Sequence, residues 1–142
     1  MKRNDRHAAA WLAALLLVAC LLLSGCTSPK GAEGPRVLID GAAWNGEAFG
    51  DSGGLRVYIT YDGQPLIDLP FDEARTVQIV QDGVGENTVE ITGEAVRMAH
   101  ADCDNQDCVQ MGAVTRENLE LRVMGGFIIC LPHRISVEVR GE

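Results

Sequence analysis

From Arg36 onward, apolar side chains recur at every second position in short runs, as in Val77-Gln78-Ile79-Val80-Gln81, Val89-Glu90-Ile91 and Ile135-Ser136-Val137-Glu138-Val139. A period of two turns one face of an extended chain toward a core and the other toward water, the pattern of a half-buried antiparallel strand. Runs of this kind, punctuated by Gly, Asp and Asn, predict strands over Arg36–Asp40, Leu55–Tyr61, Gln64–Leu69, Thr76–Gln81, Thr88–Thr92, Ala95–Ala99, Leu119–Val123, Phe127–Leu131 and Ile135–Val139. Asp62-Gly63 between two such runs predicts a tight hairpin, because a two-residue turn of that hand needs positive φ at both central residues. Thr92-Gly93-Glu94 is a second short connection. No helical period of useful length appears in this part of the chain. The expected fold is all-β, a small antiparallel β-barrel or sandwich closed or folded over to protect its edges.

The first quarter of the chain reads differently. Lys2, Arg3 and Arg6 precede an unbroken apolar stretch of 16 residues from Ala8 to Leu23, shorter than the roughly 20 a spanning helix needs and right for the core of a signal peptide. Leu23-Ser24-Gly25-Cys26 follows and resembles the lipobox of bacterial lipoproteins, in which the cysteine thiol takes a diacylglycerol as a thioether and the chain is cut just before it. The resemblance implies a signal peptide over 1–25, lipid attachment at Cys26, and export to the extracytoplasmic face of a cell membrane. Thr27 to Pro35 is polar, carries Gly and Pro, and has no apolar period, so residues 26–35 read as a flexible tether to a β-domain over 36–142.

Charge narrows the partners. Without residues 1–25 the chain keeps 9 bases against 19 acids, a formal charge of −10. Such a domain repels phosphate backbones and anionic headgroups, so nucleic acid is not an expected partner and the lipid must hold the protein at the membrane.

Three cysteines remain once Cys20 leaves with the signal and Cys26 takes lipid: Cys103, Cys108 and Cys130. An odd count in an exported protein leaves one thiol free, liganding, or paired between chains. A disulfide staple is one reading. Loop-closure entropy alone gives about 2 kcal/mol for Cys103–Cys108 and about 3.5 kcal/mol for a bond from either to Cys130. A metal site is another: Cys103, Cys108, Cys130 and His133, spaced C-x4-C and C-x2-H, would supply a Cys₃His tetrahedron for zinc or iron. Thiol redox chemistry is the third, although Asp102, Asp104 and Asp107 raise the cost of forming a thiolate nearby. The acidic loop itself lacks the glycine and distal Glu of an EF-hand. Ser136 near His133 has no nucleophile elbow or partnered acid, and Gly50-Asp51-Ser52-Gly53-Gly54 lacks the Lys-Ser/Thr ending of a phosphate loop. Trp44 and Phe49, in a Gly/Asn-rich segment, read as core residues, with an exposed aromatic contact as the alternative.

Cys103-x4-Cys108, then Gly112, then Ile129-Cys130-Leu131-Pro132-His133-Arg134 with a final β run, resembles the NusG domain II family. The Asp62-Gly63 hairpin leading into Leu66-Ile67-Asp68-Leu69, and Glu86-Asn87-Thr88-Val89-Glu90-Ile91, extend the likeness over about Val37 to Val139. Two features depart from the family pattern: Asp104 stands where proline is expected, and Ala113–Phe127 replaces a short glycine turn. The resemblance implies a small all-β module, used as an insert in some transcription factors and as a stand-alone exported lipoprotein. Its exported members are associated with membrane systems handling quinones, flavins and electron transfer to the outside. The expected function is therefore a membrane-anchored, non-enzymatic accessory or partner-binding subunit beside an unidentified membrane protein. The alternative is a redox or metal-binding module in an extracytoplasmic quinone- or flavin-linked electron-transfer system.

Overall fold

A computed structural model describes residues 34–50 and 53–141. The expected signal peptide, the lipid-bearing Cys26 and most of the tether lie outside the described residues.

Among the described residues, ten strands and one short helix follow in order: β1 Arg36–Ile39, β2 Ala42–Ala43, β3 Leu55–Tyr61, β4 Gln64–Pro70, β5 Arg75–Gln81, β6 Gly85–Ile91, β7 Ala95–Ala101, α1 Asp107–Gln110, β8 Val114–Thr115, β9 Phe127–Cys130 and β10 Ile135–Gly141. They form two wholly antiparallel sheets, one ordered β2-β1-β5-β6-β7-β8 and the other β4-β3-β10-β9. The alternation read from the sequence fixes which face each strand buries. Val77 and Ile79 of β5, Val89 and Ile91 of β6, and Val96 and Met98 of β7 point inward from the first sheet. Val57 and Ile59 of β3, Ile67 and Leu69 of β4, and Val137 and Val139 of β10 point inward from the second, and all belong to one continuous core. The fold is the expected all-β sandwich, stabilised chiefly by removing these faces from water.

Tyr61-Asp62-Gly63-Gln64 makes the predicted hairpin, with φ of 51° at Asp62 and 75° at Gly63. Asp40-Gly41 does the same between β1 and β2, a second Asp-Gly signal in the sequence whose following strand was too short to stand out. Each sheet holds a register irregularity, between Ile59 and Thr60 opposite β4 and between Thr88 and Val89 opposite β7. Joining β1 to β5 and β3 to β10 ties distant parts of the chain together, so neither sheet is built from local hairpins alone.

The strand expected over Leu119–Val123 does not form; this stretch is a series of turns. Asn118 accepts from the backbone N–H of Thr115 through Oδ1 at 2.8 Å and donates to the carbonyl of Ala113 at 3.0 Å, which bends the chain before a strand can start. The Arg122 guanidinium then donates to the carbonyls of Met111, Ala113 and Gly125 at 3.0 to 3.1 Å. Leu119 still packs against the core, but Leu121 and Val123 are turned away from it, at 83% and 101% exposure.

Candidate functional site

The sulfurs of Cys103, Cys108 and Cys130 converge, all lying within 4.8 Å of one another. They arrive from three places: Cys103 just after β7, Cys108 inside α1, and Cys130 at the end of β9, opposite Ile135 of β10. All three are buried, at 5%, 1% and 1% exposure. The loop between the first two is set by Gln106. Its backbone adopts a left-handed conformation, φ 54°, and its side-chain amide donates to the carbonyls of Ala101 and Cys103 at 2.5 and 2.6 Å. Its own carbonyl accepts from Val109 and Gln110, which starts α1 and swings Cys108 inward. This helix was not legible in the sequence, because four residues are too few to display a helical period.

The three thiols are unbonded. The Cys103 and Cys108 sulfurs are 3.8 Å apart, a hydrogen-bond contact rather than a covalent one. Burial pushes the Cys108 thiol up from 9.0 to about 12, helped by hydrogen bonds and charge interactions with Cys130 and then Cys103. A thiol so placed is protonated at neutral pH and is a poor nucleophile by itself.

His133 does not join the sulfurs. It is 4% exposed, its Nδ1 lies 2.8 Å from Oδ1 of Asn87, and its Nε2 lies 3.4 Å from Oδ1 of Asp102. Since an amide oxygen only accepts, Nδ1 carries a proton and donates to Asn87. The His133 carbonyl accepts from the Gln81 side-chain amide at 2.9 Å. Gln81 and Asn87 are polar residues at inward positions of β5 and β6, and the β9–β10 turn brings His133 to the Gln81 amide N–H and to Asn87 Oδ1, leaving the buried Gln81 Oε1 without a partner. The histidine expected as a fourth ligand is thus part of a buried polar tie between the two sheets. Gly85 makes room for it: a Cβ there would meet Asp102 Oδ1 and His133 Nε2 at 2.5 Å.

The other sequence candidates are dispersed. Asp102 accepts from the backbone N–H of Glu86, Asn105 pairs with Asp107, and Asp104 is exposed, so the acidic loop is not gathered round one point. Trp44 and Phe49 pack on the edge of the core and also line a groove of about 470 Å³ with Arg56, Tyr58, Leu66 and Asp68.

The profile of the NusG domain II family matches residues 12–142, nearly the whole sequence. The chain belongs to the NusG domain II family. The fold of this NusG domain II protein is similar to that of the Lin0431 protein from Listeria innocua, at 24% identity and a TM-score of 0.52 over 62% of this chain and 97% of that one. It is also similar to a DUF1312 family protein from Enterococcus faecalis, at 20% identity and a TM-score of 0.52 over 62% and 98% of the two chains. A DUF1312 family protein from Ruminococcus gnavus is 31% identical over 61% of this chain and 99% of its own, with a TM-score of 0.49. No curated protein matches the chain. In this NusG domain II protein the residues that carried the resemblance, Cys103, Cys108 and Cys130, are the ones the fold gathers into a single buried cluster.

Proposed function

We propose that this protein is an exported lipoprotein, anchored through Cys26 to the extracytoplasmic face of a membrane, whose β-sandwich is a non-enzymatic accessory module that binds a membrane-protein partner. The observation that carries the binding role is an exposed apolar ledge. Leu121, Val123, Met124, Phe127 and Leu131 are all exposed and fall on the segment that leads into, opens and follows the edge strand β9, with Leu131 78% exposed. Large apolar side chains held in water beside an open sheet edge mark a surface that another protein covers. The ledge is held in shape by the Arg122 contacts to surrounding carbonyls. The anchor rests on the basic head, the apolar stretch and the Leu23-Ser24-Gly25-Cys26 box. The acidity of the domain fits a protein held by its lipid rather than by its surface charge.

Two measurements test this. Mass spectrometry of the membrane fraction should find a mature N-terminal peptide beginning at acylated Cys26, and Cys26→Ser should abolish it. Photo-crosslinking from Val123 in intact cells should capture one membrane protein, and Leu121→Asp should remove that adduct while leaving the fold intact. An unprocessed chain in the cytosol would end the anchoring reading, and an adduct indifferent to Leu121→Asp would end the binding one.

The convergence of three thiols favours a second reading, a redox or metal-binding module in an extracytoplasmic quinone- or flavin-linked electron-transfer system. Under it, replacing all three cysteines with Ala abolishes reduction of an external electron acceptor by the cells, whereas Leu121→Asp spares the sulfur chemistry itself.

A further inference from the structure

We infer that Cys103, Cys108 and Cys130 form a three-coordinate, all-sulfur site for one soft d¹⁰ cation of the copper(I) class, with no contribution from His133. The inference deepens the second functional reading and rests on it only for the purpose of the ion, not for its binding.

The geometry is that of a cup rather than a staple. A single disulfide would join two of the sulfurs and leave the third as a thiol without a bonded partner. Here the three form one triangle, none more than 4.8 Å from another and the nearest pair at 3.8 Å. Metal–sulfur bonds of about 2.3 Å place neighbouring thiolates roughly 3.8 to 4.0 Å apart, so the triangle closes on an ion with side-chain adjustments below an ångström. The cup is already assembled. Gln106 pins the Cys103 carbonyl and starts the helix that delivers Cys108, while the β9–β10 ladder fixes Cys130.

The donor set chooses the ion. Sulfur alone selects soft cations over calcium, magnesium or manganese. The His133 imidazole is committed to Asn87 and Asp102, and the carboxylates of Asp104 and Asp107 are exposed on the loop. Burial leaves the three sulfurs without the open, solvated position that zinc fills with a water when only three protein ligands are present. A trigonal ion needs no such position. Each thiol that binds the cation gives its proton to solvent, and no electron is transferred in the step.

The test is competition of the full chain, purified in detergent under reductant and without oxygen, against a coloured copper(I) chelator. One equivalent of copper(I) should leave the chelator, with thiolate-to-copper absorption in the ultraviolet. Peptide mapping should show Cys103, Cys108 and Cys130 protected from alkylation together. Cys103→Ser, Cys108→Ser and Cys130→Ser should each weaken binding by at least about tenfold, the lower end of what even indirect supporting residues cost. His133→Asn keeps a polar side chain beside Asn87 and Asp102 and should leave the affinity within about twofold. Circular dichroism of each apo variant confirms that the fold persists. Copper left with the chelator, equal uptake by the triple serine variant, or a loss in His133→Asn as large as in the cysteine variants would overturn the site; a zinc(II) complex tighter than the copper(I) one would overturn the trigonal assignment. Loss of acceptor reduction in the triple variant without any metal in the wild type would overturn the metal site alone and keep thiol redox chemistry.

Discussion

Two stretches of similar length show two ways of holding a backbone. The meander β5–β6–β7, residues 75–101, is specified by repetition: alternate side chains enter one core and every neighbour is paired across a ladder. The stretch from 102 to 134 has little regular structure and holds the three cysteines. Outside β8 and β9, the carbonyls of Cys103, Met111, Ala113 and Gly125 accept from the side chains of Gln106, Asn118 and Arg122 rather than from neighbouring strands. The first spreads its stability over many equivalent contacts; the second concentrates it in a few. Damage to the meander should therefore be global, and damage to the sulfur-bearing stretch should be local.

The largest effect is expected in the meander. Ile79→Ala, fully buried in β5, should cost about 2–5 kcal/mol through lost burial and a cavity, and should shift the whole denaturant transition without changing its slope. Arg122→Ala comes next. Removing a charged donor to the carbonyls of Met111, Ala113, Gly125 and Phe127 should cost about 2 kcal/mol. Amide hydrogen exchange should accelerate over 111–127 and stay unchanged over 75–101; acceleration in both regions would erase the contrast. Gln106→Ala should cost about 1–2 kcal/mol, by the same logic on a smaller scale. Its clearest readout is faster alkylation of Cys103 and Cys108. At the regular end, Gly63→Ala should cost only about 1 kcal/mol, the strain of a Cβ at φ 75°, read as a small shift in melting temperature.

The smallest effect at neutral pH is that of Cys108→Ala on the pH profile. The native thiol holds its proton up to about 12, whereas the unfolded one releases it from 9.0. Between those values the native state binds more protons than the unfolded state, so stability falls as pH rises. Alkaline unfolding of the apo protein should therefore be steeper in the wild type than in the variant. Equal slopes would mean that Cys108 is not held neutral by burial.

Legibility follows the same division. Strand positions in the meander and in β3, β4 and β10 were readable because a period of two leaves a mark in any seven residues. Leu119–Val123 carries an apolar pattern too, yet Asn118 and Arg122 hold it in turns, and a hydrophobic pattern does not report side-chain-to-carbonyl bonds. Thr115-Arg116-Glu117-Asn118 was the available warning, a polar cluster with an Asn able to close a turn on Thr115. The three cysteines stood out as a set, but their meeting point did not. His133, adjacent in motif, turned instead to Asn87.

What the sequence determined by itself was local and repetitive: the β class, the faces of most strands and the Asp-Gly hairpin. Alternation and turn residues act through neighbours a few positions away, so they are written in consecutive letters. What only the tertiary structure decided was the arrangement of groups far apart in the chain. The sulfurs converge because β7, α1 and β9 are packed together, and His133 leaves them because two inward amides on the opposite sheet demand partners. Burial turns such demands into free energy, and no single segment carries the record of which distant group will meet them.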